Sequence, residues 1–238
     1  MLPPRYLLRE DVVLRRIDHS GNSSIADIGC GGAEILIPLS RLGHHGIGYD
    51  PSPVARACAR QRLAETEAKG FTIIDAWPSG MRFEVVLLLE VLGYADDQVE
   101  LLSACRKLLV PGGTLFVSFV RTGAGYDPLV VQQMRCFSSV EVRTFLKDAG
   151  FRDIEIVNYG YPLANTMVGI MNALHGFSVR RTQSRGGRVE TGLFHRSKWL
   201  APLGIISNRW TIKPFVLLQR LFAHTEQGNG FVVRAKVG

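Results

Sequence analysis

Ser24-Ile25-Ala26-Asp27-Ile28-Gly29-Cys30-Gly31-Gly32, followed by an amphipathic segment and then by Ile47-Gly48-Tyr49-Asp50, is the stretch that decides the fold of this chain. It reads as an apolar strand run ending in Asp27, a tight turn, a helix, and a second strand that stops at a carboxylate. Glycines let the backbone turn sharply and let a ligand approach it closely. Asp27 and Asp50 offer acceptors to an ammonium group and to ribose hydroxyls, whereas a phosphate would want neither.

The pattern continues on both sides. Phe71-Thr72-Ile73-Ile74 is an apolar run ending in Asp75-Ala76, and Glu84 to Leu89 is a continuous apolar strand ending at Glu90. Continuous apolar runs are expected where a parallel sheet is covered on both faces. Between them Pro53 to Lys69 reads as a helix, with Pro53 in its first turn and Gly70 just past its end. A helix over Asp97 to Val110 stops at Pro111-Gly112-Gly113, and a strand over Thr114 to Val120 follows. Ser138 to Ala149 reads as a further helix, Gly150-Phe151 opens a sixth strand through Val157, and the alternating Gly230 to Lys236 closes the chain as a last strand. Strands and helices that alternate in this way predict an α/β, doubly wound sheet.

Asp27-Ile28-Gly29-Cys30-Gly31, with Asp50 at the end of the second strand, resembles the D/E-x-G-x-G loop of class I S-adenosylmethionine (SAM) dependent methyltransferases of the type 11/12-like, small-molecule kind. The dinucleotide fingerprint G-x-G-x-x-G is the nearest rival and fails, because its third glycine falls on Glu34. Leu108-Leu109-Val110-Pro111-Gly112-Gly113 is similar to the family's L-x-P-G-G turn, and Ala149-Gly150-Phe151 to its junction before the sixth strand. The resemblance implies a Rossmann-like sheet of seven strands, mostly parallel, with an antiparallel last strand beside the sixth. It divides the chain into a helical leader (1–22, with its helix over Tyr6 to Ile17), a SAM-binding core (23–159), an insertion (160–229) and the last strand (230–238). The sixth strand ends at the edge where ligands of open α/β sheets bind. The insertion is therefore expected to form a lid or wall of the substrate pocket, with Ser178 to Gly192 as a mobile loop.

A closer likeness is to a bacterial subset with an arginine-bearing leader, an E-V-L-E-H segment after the fourth strand and a G-H-Y-R-R-Y segment before the fifth helix. Here these become Glu90-Val91-Leu92-Gly93-Tyr94 and Gln132-Gln133-Met134-Arg135-Cys136-Phe137. The histidines of both segments are absent, so a histidine-base mechanism does not carry over.

By the same resemblance, Asp27 would hold the methionine ammonium, and Gly29, Cys30 and Gly31 would present backbone to the methionine and ribose. Asp50 would accept both ribose hydroxyls, Asp75 the adenine amino group, and the Ala76 N–H would bond a ring nitrogen. Trp77 or Tyr49 would cover the ring, and Glu90 would lie near the sulfonium. Each carboxylate has a competing role as a helix cap or turn former. Methyl transfer from a sulfonium needs alignment and exclusion of water more than acid–base chemistry. Tyr94, Tyr126, Gln133 and His195 are the candidates for orienting the acceptor.

Composition bounds the function. The 238 residues are 46% hydrophobic, enough for one full core. No run reaches the roughly 20 apolar residues of a membrane span. Met1-Leu2-Pro3-Pro4-Arg5 carries no apolar signal region, so a cytoplasmic protein is expected. Cys30, Cys58, Cys105 and Cys136 are scattered without a C-x-x-C pair, which points to reduced thiols and no metal site. The net charge of +7 is concentrated after His175, where eleven arginines and lysines stand against Glu190 and Glu226. That asymmetry suits an anionic partner or a solvated surface. Two apolar runs of the insertion, Trp199 to Ile206 and Phe215 to Phe222, must pack on the sheet, wall an apolar substrate or touch a membrane. The second is apolar on both faces, which favours burial.

Within these bounds, the resemblance implies a SAM-dependent methyltransferase acting on oxygen or nitrogen of a small molecule of natural-product type, anionic or partly apolar. The N/D-P-P-Y/F/W motif of DNA amino-methylating enzymes is missing, so DNA is not expected as a partner. The alternatives are an RNA or protein methyltransferase using the basic C-terminal part, and a SAM-binding partner protein without transferase activity.

Overall fold

The computed structural model describes residues 4–17, 22–124, 134–166 and 211–237. Its elements run α1 (Pro4–Leu14), β1 (Ser24–Ile28), α2 (Leu36–Arg41), β2 (His45–Tyr49), α3 (Pro53–Glu65), β3 (Phe71–Ile74), β4 (Phe83–Leu89), α4 (Gln98–Arg106), β5 (Leu109–Val120), α5 (Ser139–Asp148), β6 (Phe151–Tyr159), α6 (Lys213–Arg220) and β7 (Gly230–Val237). The strands form one seven-stranded sheet in the order β3-β2-β1-β4-β5-β7-β6. Pairs among β1 to β5 are parallel, while β7 runs antiparallel between β5 and β6. The doubly wound sheet with an antiparallel last strand is therefore the one expected.

The continuous apolar runs are explained by what covers each face. On β4, Val85 and Leu87 join the core under α1, α2 and α3, while Val86 and Leu88 join the core under α4 and α5. On β1, Ala26 and Ile28 face the second core and Ile25 the first. By the two-residue period of a strand, Asp27 shares the face of Ile25, under α1.

Several boundaries differ from the sequence reading, each for a local reason. The helix expected to reach Lys69 stops at Glu65, because the Thr66 hydroxyl donates back to the Arg62 carbonyl (2.6 Å) and Glu67 turns left-handed (φ 51°). The helix expected over Asp97 to Val110 has Asp97 as its cap, accepting the Glu100 N–H at 2.9 Å, and ends at Arg106. Val110 precedes Pro111, which disfavours helical backbone there, and Leu109 instead pairs with Phe83, so β5 starts before Pro111-Gly112-Gly113. Ser138 caps α5 through a reciprocal box with Glu141. β6 runs two residues further than expected, to Tyr159.

The leader helix α1 begins at Pro4 and buries Leu7, Leu8, Val12 and Val13. Of the second apolar run of the insertion, Phe215 and Val216 pack on the first core. Leu217, Leu218 and Leu221 are exposed, so burial of both faces is not what forms. The residue α6 does bury is polar Gln219, at 2% exposure. The first apolar run, Trp199 to Ile206, and the loop Ser178 to Gly192 lie outside the described residues.

Candidate functional site

The tips of β1, β2 and β4 meet at one edge of the sheet, and the glycine turn binds the first two together. The N–H groups of Gly29 and Cys30 both donate to the Tyr49 carbonyl, at 2.7 and 3.0 Å. The Gly31 N–H donates to Asp50 Oδ2 (3.0 Å), and Ser52 N–H to Asp50 Oδ1 (2.9 Å). With these N–H groups engaged by the protein itself, the turn has few donors left for a phosphate. Gly29 is required twice over. Its φ is +78°, and a Cβ there would lie 2.2 Å from Val91 Cγ2. Gly29→Ala is accordingly expected to lower stability by about 2–3 kcal/mol through strain and overpacking. A thermal melt of the variant that superposes on wild type would remove the reason given for this glycine.

Above the turn lies a cavity of about 340 Å³ lined by Arg5, Tyr6, Arg9, Asp27, Gly29, Cys30, Gly31, Glu34, Ile35, Leu89 and Glu90. Asp27 is 2% exposed. Burial pushes its carboxyl up to about 7, with Glu34 and Asp50 adding to the rise and Arg9 opposing it. Glu90 follows β4 with a left-handed φ of 62°, an arrangement held from several sides. Its N–H donates to the Ser118 carbonyl (2.9 Å). Its Oε1 pairs with Arg5 Nη2 (2.7 Å) and Arg9 Nη1 (3.0 Å) and accepts from the Tyr159 hydroxyl (2.8 Å). Burial alone would raise the Glu90 carboxyl, but Arg9, Arg5 and the Tyr159 hydrogen bond outweigh it and hold the group below the usual carboxylate range. Glu90 is thus a fixed negative charge, and Glu34 is paired with Arg62 Nη1. The cavity presents a carboxylate, Asp27, and guanidinium groups in the same enclosure. That is the complement of a zwitterionic amino-acid end.

Beyond Asp50, the rings of Tyr49 and Trp77 meet edge to face with centroids 5.8 Å apart. Asp75 and Ala76 are both exposed. The Asp75 carboxylate is held by Arg56 Nε (2.9 Å) and Arg60 Nη2 (2.8 Å) of α3, whose hydrogen bonds lower its pKa. The fold therefore gathers Asp27, Gly29, Cys30, Gly31 and Glu90 in one cavity and sets Asp50 against its glycine turn. It places Tyr49 and Trp77 together and leaves Asp75 engaged with α3. Tyr94 is 61% exposed and does not line the cavity. Tyr126, Gln133 and His195 lie outside the described residues. Among the described residues no group of three or more His, Cys, Asp or Glu is arranged to hold a metal ion, and no helix is long and apolar enough to cross a membrane.

Sequence reasoning missed Arg5, Tyr6, Arg9 and Tyr159. A signal for the leader existed: Arg9 sits between the buried Leu8 and Val12 on α1, and an arginine flanked by buried apolar residues needs a partner. Tyr159 gave none, because its partners are remote in sequence.

A family model described as "Methyltransferase domain" matches residues 5–156. A ubiquinone biosynthesis O-methyltransferase of Cereibacter sphaeroides is 40% identical over 98 residues, which is 40% of this chain and 40% of that protein. The chain thus aligns with less than half the length of this curated relative. A crystal structure of a SAM-dependent methyltransferase from Thermotoga maritima, described as a possible histamine N-methyltransferase, has TM-score 0.60 at 16% identity, covering 98% of this chain and 89% of that one. Magnesium protoporphyrin IX methyltransferase from Synechocystis, solved with bound S-adenosylhomocysteine (SAH), has TM-score 0.56 at 15% identity, covering 97% and 80%. These two likenesses concern the fold.

Proposed function

Because this chain belongs to the methyltransferase-domain family, we propose that it is a SAM-dependent methyltransferase acting on an oxygen of a small molecule. The observation that carries this reading is the cavity between α1 and the β1 and β4 tips, with a buried carboxylate and guanidinium groups facing one space and few free donors for a phosphate. Its residues fit the methionine end of the cofactor. The Tyr6 hydroxyl supports this, since it is buried in the cavity wall and has no hydrogen-bond partner among the described residues, the state expected of a group that meets a ligand. When bound, the cofactor supplies a methyl group activated by a positive sulfur.

The chain's own residues do the rest. Asp27 accepts from the ammonium group, and the guanidinium charge of Arg9 lies where a carboxylate is attracted. Asp50 retains lone pairs for ribose hydroxyls beside those used by Gly31 and Ser52, and Tyr49 with Trp77 offers an apolar wall for the adenine. Glu90, kept ionised by its arginines, contributes field near the sulfur and does not act as a base. Asp75, held by Arg56 and Arg60, would have to exchange those partners to reach an adenine amino group. The oxygen acceptor is favoured because the curated relative is an O-methyltransferase of a small-molecule pathway. That same likeness weighs against an RNA or protein acceptor and against a non-catalytic partner protein.

Titration calorimetry with SAM and SAH tests the reading, with micromolar binding of both as the expected result. Folded protein that binds neither would end it. Asp50→Ala removes acceptors for the glycine turn and for the ribose together, so SAH affinity is expected to drop by at least about 10-fold. Unchanged affinity would take Asp50 out of the site.

A further inference from the structure

The helix α6 is attached to α1, which walls the cofactor cavity, through the buried side chain of Gln219. Gln219, on α6, donates from Nε2 to the Leu8 carbonyl of α1 (3.0 Å) and accepts the Gly160 N–H at its Oε1 (3.1 Å). Gly160 directly follows Tyr159, whose hydroxyl accepts from Arg5 Nη2 (2.8 Å) and donates to Glu90. A closed circuit results: Arg5 to Tyr159, Tyr159 to Gly160 along the chain, Gly160 to Gln219, and Gln219 back to Leu8, three residues from Arg5 on the same helix. A weaker parallel link joins Arg220 Nη2 to Asp11 Oδ1 (3.4 Å). The turn that directly follows α6 is itself tied to β6, since the Asn158 N–H donates to the Ala223 carbonyl (2.8 Å) and its Nδ2 to the Phe222 carbonyl (3.2 Å).

The inner side of α1 supplies Arg5, Tyr6 and Arg9 to the cavity wall. A polar side chain buried on a helix that leaves both of its leucines, Leu217 and Leu218, exposed is not explained by the packing of α6 alone. It is explained if its task is to hold α1 at a set position. We propose that Gln219 is a positioning residue that couples α6 to the cofactor cavity by fixing α1 across it. The proposal rests on reading that cavity as the SAM site. Displacing α1 breaks the Leu8 bond, and loosening α6 frees α1. By linkage, a ligand that requires α1 in place also steadies α6, and the effect is reciprocal.

The test uses Gln219→Glu and Gln219→Met in the full chain, with SAH as the probe. The first variant keeps an acceptor for the Gly160 N–H but, ionised, cannot donate to the Leu8 carbonyl; the second removes both bonds at similar volume. In both, SAH is expected to bind about 10-fold more weakly, and amides of residues 4–14 to exchange faster, while those of β1 and β4 keep wild-type protection. In wild type, SAH should slow exchange in 213–220 as well as in 4–14, and in the variants only in 4–14. Unchanged α1 exchange, or exchange that rises uniformly through the sheet, would overturn the positioning role. Should wild type not bind SAH, the cofactor reading fails, while the ligand-free exchange comparison still decides whether Gln219 holds α1.

Discussion

Asp27→Asn is expected to make the protein more stable at pH 8 and, at the same time, to weaken SAH binding by 100-fold or more. Both effects follow from one buried carboxyl whose pKa is raised from 3.8 to about 7, chiefly by desolvation. Between those two values the folded state holds a proton that the unfolded state has released. Stability therefore falls as pH rises through that window and stays at its lower level above pH 7. A neutral amide escapes that loss. The gain is on the order of 2–4 kcal/mol at pH 8, and it should shrink toward zero near pH 4. Binding goes the other way, because the ligand's ammonium group loses its buried counter-charge. SAH affinity of wild type should climb as pH rises from 6 to 8, with the variant flat over the same range. Melting curves and calorimetry at the two pH values check both halves. A destabilised variant that still binds SAH normally would mean that Asp27 is a structural residue.

Glu90→Gln carries the second large effect. The amide can still accept from Tyr159, but Arg5 and Arg9 lose the negative charge between them. Arg9 is buried, at 7% exposure, and removing one partner of such a cluster leaves charge without compensation. A loss of about 2–4 kcal/mol at pH 7 is expected. The sign of its pH dependence is opposite to that of Asp27. The Glu90 pKa is lowered in the folded protein, so its contribution is present above the ordinary value of 4.5 and is lost as pH falls through the folded value. Wild type and variant should therefore converge in acid. Arg9, released from Glu90, is left to pair with Asp27, so the pH midpoint of SAH binding should move below 7. A variant with wild-type melting at pH 7 would show that the arginines do not depend on Glu90.

The two carboxylates illustrate how far the chain could be read in advance. Asp27 and Glu90 both read as acids at strand tips, one expected at the methionine ammonium and the other near the sulfonium. Their opposite titration was not legible, since it depends on which cations lie within reach. The arginines that decide it come from a leader helix separated from Glu90 by more than eighty residues. Asp75 shows the converse. Its position after β3 matched an adenine contact, yet α3 brings Arg56 and Arg60 against it, because a helix packed on the sheet places its side chains over the neighbouring strand end. Gln219 was hidden for a different reason: within Phe215 to Phe222 the apolar residues dominate the pattern, and only the contact of α6 with α1 makes the amide the buried member.

Local rules were enough for the order of strands and helices, the glycine turn that forbids a Cβ, and the carboxylates at the strand tips. Periodicity, turn chemistry and chain reversal are settled within a few residues of where they act. The tertiary structure alone decided which charges those carboxylates meet, which helix covers them, and which buried amide holds that helix. Such contacts join residues distant along the chain, and their strength depends on burial, a property that no short stretch of sequence possesses by itself.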